Sequence, residues 1–225
     1  MRAPPMKRRA PELCENLLLT VPARLPTRHG SFRIHAFQCP FTGEEHVALV
    51  RGRIAGREDV LVRLHSECMT GDVFGSERCD CGAQLDAALK KLGRAPRGIL
   101  LYLAQEGRGI GITNKVAAYH LQDHGLDTVD ANRVLGFPAD LRSYKCAACM
   151  LRVLGVRSVQ LMTNNPAKIE ELESYGVRIS RRIPLQVYAT SDNVRYLRTK
   201  RDRLRHILGS QKVTRSRARP RRGPR

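Results

Sequence analysis

An α/β protein, its mixed β-sheet flanked by helices, is what this sequence predicts, and three observations carry the prediction. Residues 98–104, GILLYLA, are apolar nearly throughout, as in a central strand buried on both faces. After residue 60, strand-like runs alternate with stretches of helical periodicity. Before it, residues 31–38, 45–54 and 59–66 alternate or run apolar, with turns at Thr42-Gly43 and Gly56, the pattern of an antiparallel meander.

The remaining elements follow in order. Residues 84–92 place Leu85, Ala88, Leu89 and Leu92 on one helical face, and residues 113–124 place Val116, Ala117, His120 and Leu121 near another. A helix over 142–154 stops at Gly155, and residues 158–163 form a strand. Asn165 caps the next helix, Pro166 occupies its first position, and Gly176 ends it just beyond Tyr175. A strand near 178–183 and a basic helix over about 193–208 complete the body. No internal repeat or inter-domain linker interrupts it. The expected organisation is a partly disordered N-terminal extension at 1–21, a catalytic domain at 22–208, and a disordered Arg-rich tail at 209–225.

The net charge is +19. Four cations in residues 1–10 and seven in residues 209–225, with no acid in either stretch, leave +8 for the body. That remainder suits a polyanionic ligand such as a nucleoside triphosphate. The tail is a solubilising end or, at most, a non-specific handle for nucleic acid. No apolar run approaches the roughly 20 residues of a membrane span, and the N-terminus lacks the long apolar core of a signal peptide. A cytoplasmic location is expected, where thiols stay reduced. The odd count of seven cysteines argues against a disulfide framework.

The chemistry concentrates in Arg63–Gln84, RLHSECMTGDVFGSERCDCGAQ. Cys68, Cys79 and Cys81 form a C-x10-C-x-C pattern, with His65 and Glu67 just upstream and a glycine turn at Gly82. Three thiolates in one loop suit a catalytic zinc, whose fourth position holds water with a pKa lowered to about 7. A structural zinc closed by Cys146 and Cys149, or a set of buried thiols, fits the same spacing. A second group, Glu106-Gly107-Arg108-Gly109-Ile110-Gly111, follows an apolar strand and precedes a helix. Its backbone N–H groups and Arg108 suit a phosphate, although the motif alone also fits a structural turn. A third group, FPADLR, sets Asp140 two residues before Arg142, which also fits a surface ion pair.

HSECMTGDVFGSERCDCG, QEGRGIG, NK..AY.LQD.G.DT..AN, LGFPADLR and LMTNNPAK occur here in that order, and over residues 22–208 the chain resembles GTP cyclohydrolase II, which opens the guanine ring of GTP at the start of riboflavin synthesis. The resemblance implies zinc, one per subunit, on Cys68, Cys79 and Cys81. It implies GTP contacts at Arg63, Leu64, His65, Ser66, Glu67, Gln84, Glu106, Gly107, Arg108, Thr128, Thr163 and Lys168. Tyr119, Asp140 and Arg142 match catalytic positions, with Asp140 as proton acceptor and Arg142 as the proposed nucleophile toward the α-phosphate. Magnesium would accompany the triphosphate, and a homodimer is implied. Tyr119 and Glu67 are the polar groups best suited to orient water or move protons. Deprotonating Arg142 is chemically awkward, since its pKa exceeds 12, so it also suits a purely electrostatic role. Two alternatives stand beside this reading. One is a paralogue serving a secondary pathway or stopping at a formylated intermediate; the other is a zinc-stabilised nucleic-acid-binding protein. At 225 residues no room is expected for a second synthase domain.

Overall fold

A computed structural model describes residues 14, 17–185, 190 and 193–207. Among the described residues, eight strands form one mixed sheet: β1 (Leu18–Leu19), β2 (Ala23–Thr27), β3 (Gly30–Gln38), β4 (Glu45–Arg51), β5 (Val60–Ser66), β6 (Gly98–Leu103), β7 (Val159–Met162) and β8 (Ile179–Ile183). Seven α-helices accompany them: α1 (Met69–Asp72), α2 (Cys81–Arg94), α3 (Gly111–Asp123), α4 (Thr128–Val134), α5 (Lys145–Val153), α6 (Pro166–Ser174) and α7 (Val194–Leu204). A 3-10 turn at Glu106–Gly109 precedes α3. None of the described helices is long and apolar enough to cross a membrane.

The strand order is β1-β3-β4-β6-β5-β7-β8, with β2 also paired to β3. The expected meander is therefore corrected. β3 and β4 are antiparallel neighbours, but β6 enters between β4 and β5. β5 runs parallel to both β6 and β7, and β7 runs parallel to β8. Helices α1 and α2 separate β5 from β6 in the chain, which is the crossover that a parallel pair requires. The early strands also begin sooner than expected. β1 lies inside the segment read as an extension, and β2 carries Pro26, which an edge strand tolerates because it need not donate there.

Period-2 alternation divides the sheet between two cores. Val62 and Leu64 of β5, with Ile99, Leu101 and Leu103 of β6, face Ala147, Met150 and Leu151 of α5 and Leu172 of α6. On the other face, Leu100 of β6 and Met162 of β7 meet Ala88 and Leu92 of α2. β6 is buried nearly throughout because both faces are covered, as its apolar run predicts. Asn165 caps α6 as expected, its side chain accepting from Ala167 N–H. Gly176 ends that helix with φ +82°.

Helix α3 corrects a second expectation. Val116 is 56% exposed and His120 is exposed, whereas Lys115 and Ala118 are buried. The helix turns Lys115, Ala118, Tyr119 and Gln122 toward a cavity, so its inward face is polar and the hydrophobic pattern misassigns it. Residues 1–10 and 209–225, where disorder was expected, lie outside the described residues.

Candidate metal and anion site

Parallel strands β5, β6 and β7 end side by side, and ligand sites on open α/β sheets gather outside such carboxyl ends. The cysteine loop follows β5, the glycine-rich turn follows β6, and Thr163–Asn165 follows β7. These segments surround one cleft, lined by residues from all three.

Cys68 sits at the start of α1, Cys81 opens α2, and Cys79 lies between the two helices. The Sγ atoms of Cys68 and Cys79 are 3.7 Å apart, and all three sulfurs lie within 4.8 Å of one another. Tetrahedral zinc with bonds of about 2.3 Å holds sulfurs about 3.8 Å apart, so the donor set fits that ion. Two glycines make the convergence possible. A Cβ on Gly71 would stand 2.9 Å from Cys79 Sγ and 3.2 Å from Cys68 Sγ. A Cβ on Gly82 would collide with the carbonyl oxygen of Gly71. Gly82 thus belongs to the first turn of α2, where it lets α1 approach, and is not the turn after the motif that the sequence suggested.

The loop is braced from beneath. Cys68 N–H donates to Asp72, whose carboxylate also accepts from the Tyr102 hydroxyl at 3.0 Å and pairs with His65 Nε2 at 2.9 Å. Among the three thiols, hydrogen bonds from Cys79 and Cys81 favour the Cys68 thiolate and lower its pKa. Those same bonds raise the pKa values of Cys79 and Cys81.

A cationic wall faces the thiolates. Arg63, 6% exposed, donates to Met162 O at 3.0 Å and to Gln84 Oε1 at 2.6 Å, while its Nε has no partner. Nη2 of Arg108 is likewise buried without a partner. Lys168, 5% exposed, donates to Leu64 O at 2.8 Å. Burial, reinforced by Arg63 and Arg142, pushes its pKa well below the usual lysine range. Buried donors without acceptors are costly in isolation and point to an anion that completes them.

Arg142 also borders the cleft. It is held by Asp140 through two parallel bonds, Nε to Oδ1 at 2.8 Å and Nη2 to Oδ2 at 2.5 Å. Burial works against the Asp140 charge, yet Arg142 holds its pKa below the ordinary carboxylate value. Tyr119 reaches the metal loop through Thr70, hydroxyl to hydroxyl at 3.2 Å. Burial, with Glu106 and Asp72 nearby, raises the Glu67 pKa.

Most of the sequence-predicted positions border this one cleft: Arg63, His65, Ser66, Glu67, Gln84, Glu106, Gly107, Arg108, Tyr119, Thr128, Arg142, Thr163, Lys168 and the three cysteines. Leu64 does not. Its side chain lies in the core, and only its carbonyl reaches Lys168. Asp140 stands behind Arg142 rather than on the lining. Sequence reasoning missed Lys115, Tyr196, Lys200 and His206, which also line the cleft. Lys115 had a signal in its i, i+4 spacing from Tyr119. The three on or after α7 had none, because their helix reads only as basic.

The other cysteines do not close the thiolate group. Cys146 lies with Cys39 and His46, all three buried, their ligand atoms within 4.8 Å. His46 Nδ1 there accepts Ala104 N–H at 3.1 Å, which places the ring proton of the neutral imidazole on Nε2. Cys14 and Cys149 form a disulfide, a single bridge rather than a framework; a separation of 135 residues carries no sequence signal for such a pairing.

A parallel-sheet cleft that joins three convergent thiolates to a cationic wall is the make-up of a metal-using enzyme with an anionic substrate. Comparison with known proteins sharpens the class. The family model for GTP cyclohydrolase II matches residues 19–184, and the chain belongs to that family. The chain is 59% identical over 191 residues to the riboflavin biosynthesis protein RibBA of Mycobacterium avium (strain 104), covering 83% of this chain and 45% of that protein. It is 52% identical over 184 residues to the protein of the same name from Endomicrobium trichonymphae, covering 82% and 46%. The chain thus spans less than half the length of these relatives. The crystal structure of RibBX, a two domain 3,4-dihydroxy-2-butanone 4-phosphate synthase from A. baumannii, gives a TM-score of 0.41 at 16% identity over 68% of this chain and 37% of that one, too loose a likeness to bear on the argument.

Proposed function

We propose that this chain hydrolyses GTP to 2,5-diamino-6-ribosylamino-4(3H)-pyrimidinone 5′-phosphate, formate and pyrophosphate, the first step of riboflavin biosynthesis. The carrying observation is that the three-thiolate group and the cationic wall share one cleft. Ring opening needs an activated water beside the base, and pyrophosphate release needs positive charge beside the triphosphate; this cleft offers residues for both.

Cys68, Cys79 and Cys81 would hold zinc, which supplies Lewis acidity to activate water for attack on carbon 8 of guanine. Arg63, Arg108 and Lys168 bind and orient the triphosphate, which enters with magnesium. Arrival of the polyanion favours the charged form of Lys168, whose ammonium burial otherwise disfavours. Tyr119, linked to Thr70 in the metal loop, orients water or moves a proton, and Glu67, its pKa already raised, is the second group fit for proton transfer. Arg142 acts as a fixed cation at the α-phosphate. Its two bonds to Asp140 strengthen its charged form, which favours electrostatic stabilisation over attack by a deprotonated guanidine. The body acts as a homodimer in the cytoplasm.

Cys81→Ser tests the metal assignment. Zinc content and ring opening are expected to fall together. Full turnover with undiminished zinc would remove Cys81 from the ligand set.

A further inference from the structure

Lys115 is a buried cation that stands in the NK..AY.LQD motif without an assigned role, and it has two partners. Its Nζ donates to Cys68 Sγ at 3.2 Å and to Glu106 Oε1 at 2.7 Å. Both members of the Lys115–Glu106 ion pair are about one-tenth exposed at the side chain. Glu106 is saturated from three sides, taking Lys115 and Gly107 N–H on Oε1 and Met69 N–H, at 2.6 Å, on Oε2. One ammonium therefore ties the metal loop to the glycine-rich turn. Gly107 leaves room for it: a Cβ there would stand 3.1 Å from Lys115 Cβ.

We propose that Lys115 is a positioning residue for the metal centre, neutralising the Cys68 thiolate and fixing its direction while anchoring Glu106. The inference rests on the zinc reading above and extends it to a residue outside the ligand set. Three thiolates around a divalent cation leave one net negative charge, and Lys115 is the ammonium set against it. A charge-assisted N–H to sulfur bond would hold the Cys68 thiolate in its direction and offset the site's net charge with zinc bound. Arginine keeps the charge and the donors. Methionine keeps the stem and removes both.

The test uses the full chain, with zinc affinity read by chelator competition and the thiolate-to-metal charge-transfer band read after cobalt(II) substitution. Circular dichroism and the thermal midpoint confirm that each variant folds. Lys115→Met is expected to weaken zinc binding by about 10–100-fold, the usual effect of losing a partner of a metal ligand, and to move the band. Lys115→Arg is expected to recover most of the affinity. The double variant Lys115→Met/Glu106→Gln removes the carboxylate that the single variant strands. It is expected to keep the metal defect, because the defect arises at Cys68. Affinity and band unchanged in Lys115→Met overturn the inference, as does full recovery of affinity in the double variant. Absence of zinc binding by the unaltered chain overturns the zinc reading itself, and the inference with it, and is distinguishable because no variant is needed to see it.

Discussion

Gly71 shows how closely the metal loop is fitted. Its missing side chain is the space between two sulfurs, since a Cβ would lie 2.9 Å from Cys79 Sγ. Gly71→Ala is therefore expected to lose most of its bound zinc while keeping its far-ultraviolet circular dichroism, and elemental analysis of the purified protein checks this. Tyr119 makes a different demand. Its hydroxyl contacts Thr70 in the metal loop, so Tyr119→Phe removes only that polar tip. Steady-state kinetics are expected to show kcat lower by about 10²–10⁴-fold, the usual range for a proton-transfer group, with little change in KM. An equal loss through KM alone would make Tyr119 a binding residue. At this scale the sequence was informative wherever chemistry constrains residue type, as in the thiolates and in Asp140 with Arg142. It placed Lys115 in a motif four residues before Tyr119 but gave it no role, because a lysine in a helix reads as solvated surface until the cavity behind it is seen.

Helix α7 shows what local pattern cannot convey about an element. It reads as a basic helix, yet Lys200 is buried and pairs with Asp80 at 2.5 Å, at the N-cap of α2. Arg203 fastens the same helix to Asp127 and Asp130 of the α4 start. The Asp80 carboxylate is 1% exposed, and a buried pair broken on one side strands its partner. Lys200→Met is expected to destabilise the fold by about 3–5 kcal/mol in urea denaturation, with much of that recovered by Lys200→Met/Asp80→Asn. Helix α4 was legible but unread: Asp127 accepts from Val129 and Asp130 N–H, an N-cap that the sequence displays. Helix α3 was misread for a physical reason, since a cavity-facing helix inverts the rule that the buried face is the apolar one. The place of β6 between β4 and β5 was not legible either, because strand order is a tertiary choice among elements of similar pattern.

For the whole molecule, four histidines with lowered pKa values contribute to the acid response. Burial lowers the pKa values of His35, His46 and His65, and burial with Lys200 lowers that of His206 to about 3. The unfolded chain then binds more protons than the native one once pH falls below about 6.5, so stability is full above that value and declines beneath it. The thermal midpoint is expected to drop between about pH 6.5 and 5. His46→Asn, whose Oδ1 keeps an acceptor for Ala104 N–H but cannot titrate, should flatten part of that slope. Thiol titration of denatured protein checks the long-range pairing. With Cys14 and Cys149 joined, five free thiols are expected before reduction and seven after. The central claim is that the thiolate group and the cationic wall act on one substrate, and mass spectrometry of zinc-loaded protein incubated with GTP and magnesium tests it directly. The account predicts the diaminopyrimidine monophosphate, with formate and pyrophosphate in parallel; unconsumed GTP in the presence of folded, zinc-loaded protein would contradict it.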